Sequence, residues 1–378
     1  MVVIFAVFAM AASALIAYLT IVAARRLDLG ADDTVGVHKF HNHWVPRLGG
    51  IAIFVALTSS LLAVTWLLGT EVQHAVAFIV CILPVFCVGL VEDVTAKCDI
   101  SSRLLLPMLS AALCWWLLDG RLLRVDIPTV DAWLQASPFF ALMLTMIAVG
   151  GITQAVNIID GYNGLSPFFA LVALAAIGIV GHLVGDVLVE RIALLAAASV
   201  AGFLLWNFPH GHIFMGDAGA YLVGFCIGEL SVLLVTRNPE VSAWFPMLLV
   251  IYPVWETLFA IYRKAILKNT SPSQPDGLHL HMLIHKRLVK SPYGGTARQR
   301  MLKRNSSTSP YLWVLSLMTA IPAVIFWDEG AWLQGFCVVA VLACFTLYWR
   351  IVRFRAPKFM VFRPTIEGAR QTSVTTDA

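Results

Sequence analysis

Charged residues are scarce in this sequence. Only 13% of its 378 residues are charged, whereas 59% are hydrophobic, and a soluble domain has about 25% charged residues. This deficit excludes an ordinary soluble enzyme, and we expect no nucleic-acid partner. The alternating pattern of outer-membrane β-barrels is also missing, as is any internal repeat of the kind common in transporters.

Paired cysteines and a signal peptide are also missing. The seven cysteines form no Cys-x-x-Cys pair, and six of them lie within apolar runs, so we interpret them as buried small hydrophobic side chains. The first apolar run follows Met1 without a preceding basic segment, and Arg25 and Arg26 come after it. We therefore interpret this run as a first membrane span and not as a cleaved signal peptide.

Long apolar runs are what the sequence does contain. Several are shorter than the ~20 residues that a helix needs to cross a bilayer, so the sequence predicts an all-α polytopic membrane protein with 10 or 11 transmembrane helices. We expect a single transmembrane catalytic domain over residues 1–355 and a basic, flexible cytoplasmic tail over 356–378. The runs cover 2–23, 48–68, 74–91, 104–118, 139–156, 165–184, 192–207, 219–236, 243–262, 311–327 and 331–349.

Basic residues are distributed unequally between the two sides of the predicted membrane domain. With eleven spans, all but four of the 26 Lys and Arg residues fall on one side. The positive-inside rule places that side in the cytoplasm, with the N-terminus outside and the C-terminus inside. The loops on this side are 24–47, 92–103, 157–164, 208–218 and 263–310, followed by the tail.

Polar clusters fall on the same predicted side. Two adjacent carboxylates, Glu92 and Asp93, follow the third span and could shift each other's pKa, although an ordinary solvated helix end has the same pattern. Asn157 and Asp160 share a face if their helix continues to Gly161. Carboxylate and amide oxygens of this kind suit Mg²⁺, so we expect one site at the cytoplasmic membrane surface.

Further motifs allow more than one interpretation. Asp217 either caps the eighth span or ligates a metal. Arg47, just before two glycines at a helix start, either holds a phosphate or serves only as a topogenic charge. His279, His281 and His285 could form a zinc site, a pyrophosphate cradle with nearby Lys and Arg, or part of a solvated basic loop.

In combination, these motifs resemble those of the polyprenyl-phosphate N-acetylhexosamine-1-phosphate transferases. That family includes the phospho-MurNAc-pentapeptide translocases and the UDP-GlcNAc:undecaprenyl-phosphate GlcNAc-1-phosphate transferases. The resemblance implies transfer of a sugar 1-phosphate from a UDP-sugar to undecaprenyl phosphate in the bacterial inner membrane, with release of UMP, as the first step of a cell-surface glycan. The matching segments, in the family's order, are Pro46–Gly50, Gly89–Asp93, Ala155–Leu165, Phe214–Gly219 and His279–His281.

The resemblance also implies roles for individual carboxylates and amides. Mg²⁺ or Mn²⁺ is the implied cofactor, and Asp217 and Asn157 are the implied ligands. Asp93, with Glu92, would assist the lipid phosphate or the metal. Asp160 belongs with these catalytic carboxylates and would contact the nucleotide end of the donor.

Substrate contacts are implied in the same way. Asn163 would contact the nucleotide, His279 and His281 would bind its diphosphate, and Arg47 would help to hold phosphate. The sequence departs from the common family pattern at Glu92 and Asn163, where aspartates are usual, and at Met282, where a histidine is common. These departures leave the sugar open, and the oligomeric state is open too, with a homodimer as one option.

Two other functions compete with the transferase hypothesis. The number of spans and the mid-span Glu229 are compatible with a transporter or lipid-linked sugar flippase, but clustering of polar residues on one side is not typical of such proteins. An inactive scaffold of a glycan assembly complex is the third hypothesis, because of the departures at Asn163 and Met282.

Overall fold

The computed structural model describes residues 2–27, 45–267, 277–290, 295–355 and 360–361. The basic segment around His38, His41 and His43 lies outside these residues. So does the predicted tail, apart from Met360 and Val361. The described residues form helices and contain no strand.

Fourteen α-helices form within the described residues, and eleven of them are long and apolar enough to cross a membrane. The prediction of an all-α polytopic protein is therefore confirmed, and the count is the higher of the two expected. In chain order the helices are α1 Val2–Leu27, α2 Gly49–Leu68, α3 Val72–Thr95, α4 Ile100–Leu117, α5 Pro128–Ala136, α6 Pro138–Ile159, α7 Leu165–Leu183, α8 Val187–Asn207, α9 Gly216–Arg237, α10 Trp244–Tyr262, α11 Leu280–Arg287, α12 Ala297–Ser306, α13 Ser309–Ile325 and α14 Gly330–Val352.

Helix α9 is at the centre of the bundle. It packs against α3 and α6 and also contacts α2 and α7, and nearly all of its residues are buried. A helix that is apolar on every side is stable only where neighbours or lipid surround it completely. The peripheral helices α1 and α14 instead expose large apolar side chains, as lipid-facing helices do.

Three of the helices are short, and the last of them, α12, is joined to α13 within one candidate span, Ala297–Ile325. Helix α5 precedes α6 between the fourth and fifth spans. Helices α11 and α12 belong to the long 263–310 segment, which begins with a short π-helical turn at Arg263–Leu267. Thr296 caps α12 through a reciprocal capping box with Gln299, the arrangement that satisfies two N-terminal amides of a helix at once.

The ends of four helices meet at one end of the bundle. Helices α3 and α6 end there, and α2 and α9 begin there. All the sequence segments that carry the predicted carboxylates are therefore at the same end. Their convergence was expected from the charge count and is observed in the fold.

Candidate active site

The start of α2 is attached to the segment that precedes α9. The N–H groups of Gly49 and Gly50 donate to the carbonyl oxygens of Phe214 and Met215 at 3.0 and 2.9 Å. These amides therefore already have partners within the protein. The prediction that Arg47 holds a phosphate therefore depends on its guanidinium and not on these two amides.

The side chain of Asp93 caps α9 from a neighbouring helix. Its two carboxylate oxygens accept the N–H groups of Asp217 and Ala218 at 2.8 and 2.9 Å. A carboxylate at a helix N-terminus is stabilised by the free amides and by the helix dipole. Asp217 lies within the first turn of α9 and makes no cap hydrogen bond of its own, so the interpretation of Asp217 as the cap was wrong.

Gly216 is required where these segments cross. Its φ is +71°, and a Cβ atom there would lie 2.1 Å from the carbonyl oxygen of Arg47 and 2.5 Å from Oδ2 of Asp93. Only glycine adopts such a conformation without strain and leaves room for both neighbours. Gly216, in the Phe214–Gly219 motif, thus allows Asp93 to reach the amides of α9.

Asp217 is held by two side chains from other helices. The amide nitrogen of Asn157 donates to Oδ1 of Asp217 at 3.0 Å, and the guanidinium of Arg47 lies 3.3 Å from the same oxygen. Arg47 also lies 3.6 Å from Asp93. One cation thus bridges two carboxylates.

Asp160 follows the last residue of α6 and joins this cluster. Burial, followed by the negative charge of Asp217, raises the pKa of the Asp160 carboxyl to about 7, although Arg47 opposes the shift. Helix α6 ends at Ile159, so Asp160 comes from the turn and not from a helical face shared with Asn157. Among the described residues, none donates a hydrogen bond to this carboxyl.

Glu92, in contrast, is directed to another part of the protein. Its carboxylate pairs with Arg103 at 2.5 Å and accepts the N–H of Cys98 at 2.9 Å. These contacts close the turn between α3 and α4. The structure therefore does not bring Glu92 into contact with Asp93, Asp160 or Asp217 as the resemblance implied.

Asn163 is also enclosed by the protein. Its residue exposure is 1%, and its amide nitrogen donates to the carbonyl oxygen of Pro209 at 3.2 Å. Its backbone N–H donates to Asn305, and its carbonyl accepts from Ser309. In this conformation Asn163 ties its loop to the α12–α13 junction, and it has no open face for a nucleotide.

Glu256, on α10, holds the histidine pair. Its carboxylate lies 3.4 Å from Nδ1 of both His279 and His281 and accepts the N–H of Leu280 at 2.6 Å. Glu256 is not among the residues that the sequence motifs predicted for the site. A carboxylate within an apolar span was the available signal, because such groups are retained where they have a polar partner.

The histidine pair faces the Asp160 loop. Nε2 of His281 lies 3.7 Å from the position of a Cβ atom on Gly161, and the two histidine rings stack with centroids 5.3 Å apart. Burial lowers the pKa of His281 below its usual value. Because His281 is fully buried, it shapes the wall beside Gly161 and is not exposed to a diphosphate in this conformation.

The zinc interpretation fails for the described residues. His285 instead contacts Thr308 at 3.0 Å and the ring of Tyr162. In the described part of the chain, no three His, Cys, Asp or Glu side chains are grouped so that they could form a metal site among themselves. A closed zinc site needs three or four such ligands.

The donor set at the Asp217 cluster suits a different ion. Mg²⁺ is bound through one or two carboxylates together with waters and substrate phosphates. Asp160 and Asp217 provide two carboxylates close enough to raise the pKa of Asp160. Asn157 directs its nitrogen to Asp217 and keeps its amide oxygen as a further hard ligand. The residues present thus fit a hard divalent cation.

Comparisons with known proteins show what this chain is similar to. The model of glycosyl transferase family 4 matches residues 75–235, the segment that contains Asp93, Asn157, Asp160 and Asp217. A probable undecaprenyl-phosphate N-acetylglucosaminyl 1-phosphate transferase of Bacillus subtilis is 28% identical over 89% of this chain and 88% of its own length. An undecaprenyl-phosphate alpha-N-acetylglucosaminyl 1-phosphate transferase of Yersinia pestis is 24% identical over 89% of this chain and 90% of its own.

A third relative has the same kind of name. It is a decaprenyl-phosphate N-acetylglucosaminephosphotransferase of Mycolicibacterium smegmatis, which is 27% identical over 80% of this chain and 78% of its own length. Fold, site and relatives together define a phosphotransferase embedded in the membrane. The chain is similar to the polyprenyl-phosphate N-acetylglucosamine-1-phosphate transferases, and its residues 75–235 match glycosyl transferase family 4.

Proposed function

We propose that this protein transfers an N-acetylhexosamine 1-phosphate from a UDP-sugar to undecaprenyl phosphate. An oxygen of the lipid phosphate attacks the β-phosphorus of the donor. The bond from that phosphorus to the bridging oxygen breaks, and UMP leaves. The acceptor is already an anion, so the reaction needs no strong base.

The observation that carries this proposal is the convergence of Asp93, Asp160 and Asp217 around Arg47 at one end of the spans. Phosphoryl transfer depends mainly on positioning and on neutralisation of charge. A soluble nucleotide-sugar and a lipid phosphate can meet only at a membrane surface, where this cluster would lie. The relatives, all named as transferases, support this function and not the transporter or the scaffold.

We propose Mg²⁺, or Mn²⁺, as the cofactor, held by Asp217 and Asn157 with Asp160 beside them. When bound, it would neutralise phosphate charge and orient the leaving group. The protein's own residues supply the framework: Asp93 fixes the start of α9, and Arg47 keeps a positive charge between the carboxylates. We propose a cytoplasmic location for the site, since most Lys and Arg residues lie in the loops of that side.

The test is a transferase assay on the purified full chain in vesicles with undecaprenyl phosphate. UMP and the lipid product are followed by mass spectrometry with UDP-GlcNAc, UDP-GalNAc and dideoxy-amino UDP-sugars as donors. We expect UMP release that needs both lipid phosphate and a divalent cation. Flux of a substrate across the vesicle membrane without UMP production would instead support a transporter.

The raised pKa of Asp160 predicts a pH-dependent stability. Between pH 3.8 and about 7 the folded carboxyl keeps its proton while the unfolded one loses it, so the folded state binds more protons and its stability falls as pH rises. We expect the melting temperature of the metal-free protein to decrease across this range. Above pH 7, Mg²⁺ should raise the melting temperature again, because an ion that binds only the folded state stabilises that state.

Asp160→Asn provides the control for this prediction. This variant should lose the Asp160 part of the pH dependence and part of the stabilisation by Mg²⁺. Asp328→Asn, an exposed substitution of the same kind between α13 and α14, should behave as wild type. An unchanged pH slope in Asp160→Asn would contradict the assignment.

We expect Glu256→Gln to lower kcat/KM by about 10- to 100-fold, the usual effect of removing a partner that orients a functional side chain. The amide retains the size of the side chain but loses the charge that faces both histidines. Glu229→Gln is the matched control, since Glu229 is a fully buried carboxyl on α9 beside Gly120. Equal losses in the two variants would show that the effect is one of general packing.

A further inference from the structure

A second cavity lies on the same end of the bundle as the active site. It has a volume of about 780 Å³, within the range of pockets that enclose organic ligands. Residues 208–210, α12 and the first turns of α13 surround it. We call it the interfacial cavity.

The walls of the interfacial cavity are mainly apolar. Phe208, Pro209, Leu302, Pro310 and Val314 line it. Val314 lies in the second turn of α13, on a candidate membrane span, and its side chain is exposed. The cavity therefore extends from the polar start of α13 toward the region where lipid chains would lie.

The wall of the interfacial cavity also contains a cationic side chain. Lys303 lines the cavity and is exposed, and His210 of the 208–210 loop lines it too. Neither α12 nor residues 207–215 contain an acidic residue, whereas α12 contains four basic ones. A mainly apolar cavity with a cationic side chain in its wall is complementary to an anionic amphiphile.

The interfacial cavity is also connected to the active-site loop. Ser306, in its wall, donates to the carbonyl oxygen of Pro209, and the same oxygen accepts the amide of Asn163 at 3.2 Å. Asn163 is three residues from Asp160. A ligand that displaced Pro209 or Ser306 would therefore also displace the loop that carries Asp160.

We infer that the interfacial cavity binds an anionic membrane phospholipid, with its phosphate at Lys303 and an acyl chain against Val314. Helix α13 belongs to a candidate membrane span, so phospholipids of the bilayer would always be available to the cavity. Phospholipid binding does not depend on the transferase reaction, and it is measured without a donor or UMP release. It can thus be tested separately from the proposed function.

The test uses the full chain reconstituted in vesicles of phosphatidylcholine with phosphatidylglycerol, extracted in mild detergent and analysed by native mass spectrometry. We expect phosphatidylglycerol to be retained preferentially. Lys303→Gln should lower this retention about fivefold, the effect of one cation near a lipid phosphate. Val314→Trp should lower it at least as much, because the larger ring occupies the space of the acyl chain.

Two matched controls separate this site from the general lipid surface. Arg298→Gln removes a charge from the same helix outside the cavity wall, and Val338→Trp adds the same ring on the exposed face of α14. Both should retain phosphatidylglycerol as wild type does. Equal loss in Arg298→Gln, unchanged retention in both cavity variants, or displacement of the phospholipid by undecaprenyl phosphate would each overturn the inference.

Discussion

Asp217→Asn should reduce UMP release by about three orders of magnitude, comparable to the loss of a major charge-stabilising group in other enzymes. The amide keeps the shape of the carboxylate, but it no longer provides the negative charge that faces Arg47 and Asn157. The proposed metal would lose its principal ligand. The measurement is kcat for UMP release at saturating UDP-sugar over a range of Mg²⁺ concentrations.

The matched control for this substitution is Asp328→Asn, which makes the same change on an exposed residue between α13 and α14. It should leave kcat unchanged. A melting curve for each variant excludes loss of folding as the cause. Wild-type UMP release by folded Asp217→Asn would refute the role of Asp217 as a metal ligand.

Asp93→Asn should be the next most damaging change. The Asp93 side chain is fully buried and accepts two N–H groups at the start of α9. The side-chain amide of asparagine has one acceptor oxygen. Its NH₂ group would therefore face one of the two backbone N–H donors at the start of α9. Loss of a charge-assisted hydrogen bond in a buried site costs about 2 kcal/mol, and the displaced start of α9 should lower kcat roughly 100-fold. Thermal unfolding and UMP release measure the two effects.

Glu92→Gln is the informative comparison for Asp93. The two residues are neighbours in the sequence, and the change is of the same kind. Within the described residues, the carboxylate of Glu92 bonds to Arg103 and Cys98, so its loss should weaken the α3–α4 turn slightly and leave near-wild-type activity. A loss of activity as large as that of Asp93→Asn would show that Glu92 takes part in the reaction after all.

Hydropathy predicted the spans well because the signal is local and strong. An apolar run of sufficient length satisfies its own backbone as a helix wherever it lies in the bilayer. The ends of the observed helices differ from the predicted runs mainly where polar residues continue a helix. Asp93 is the clearest case, since α3 extends to Thr95 and carries it inside the last turn.

Side-chain direction was harder to predict. Adjacent residues on a helix point about 100° apart, so Glu92 and Asp93 cannot both face α9. The sequence motif treats them as a pair, and only the neighbouring helices distinguish them. The direction of Asn163 was equally hard to predict. Its loop motif suggested a contact with a ligand, but in the structure Asn163 is bonded to Pro209 and Asn305.

The sequence by itself determined the class of the protein, a count of 10 or 11 spans and the order of the motifs, because these depend on local apolar length and on residue type. The tertiary structure decided which groups meet. It assigned the cap of α9 to Asp93, brought Arg47 between two carboxylates, and added Glu256 to the histidine pair. These contacts join residues far apart in the chain, and their geometry follows from how α2, α3, α6, α9 and α10 pack.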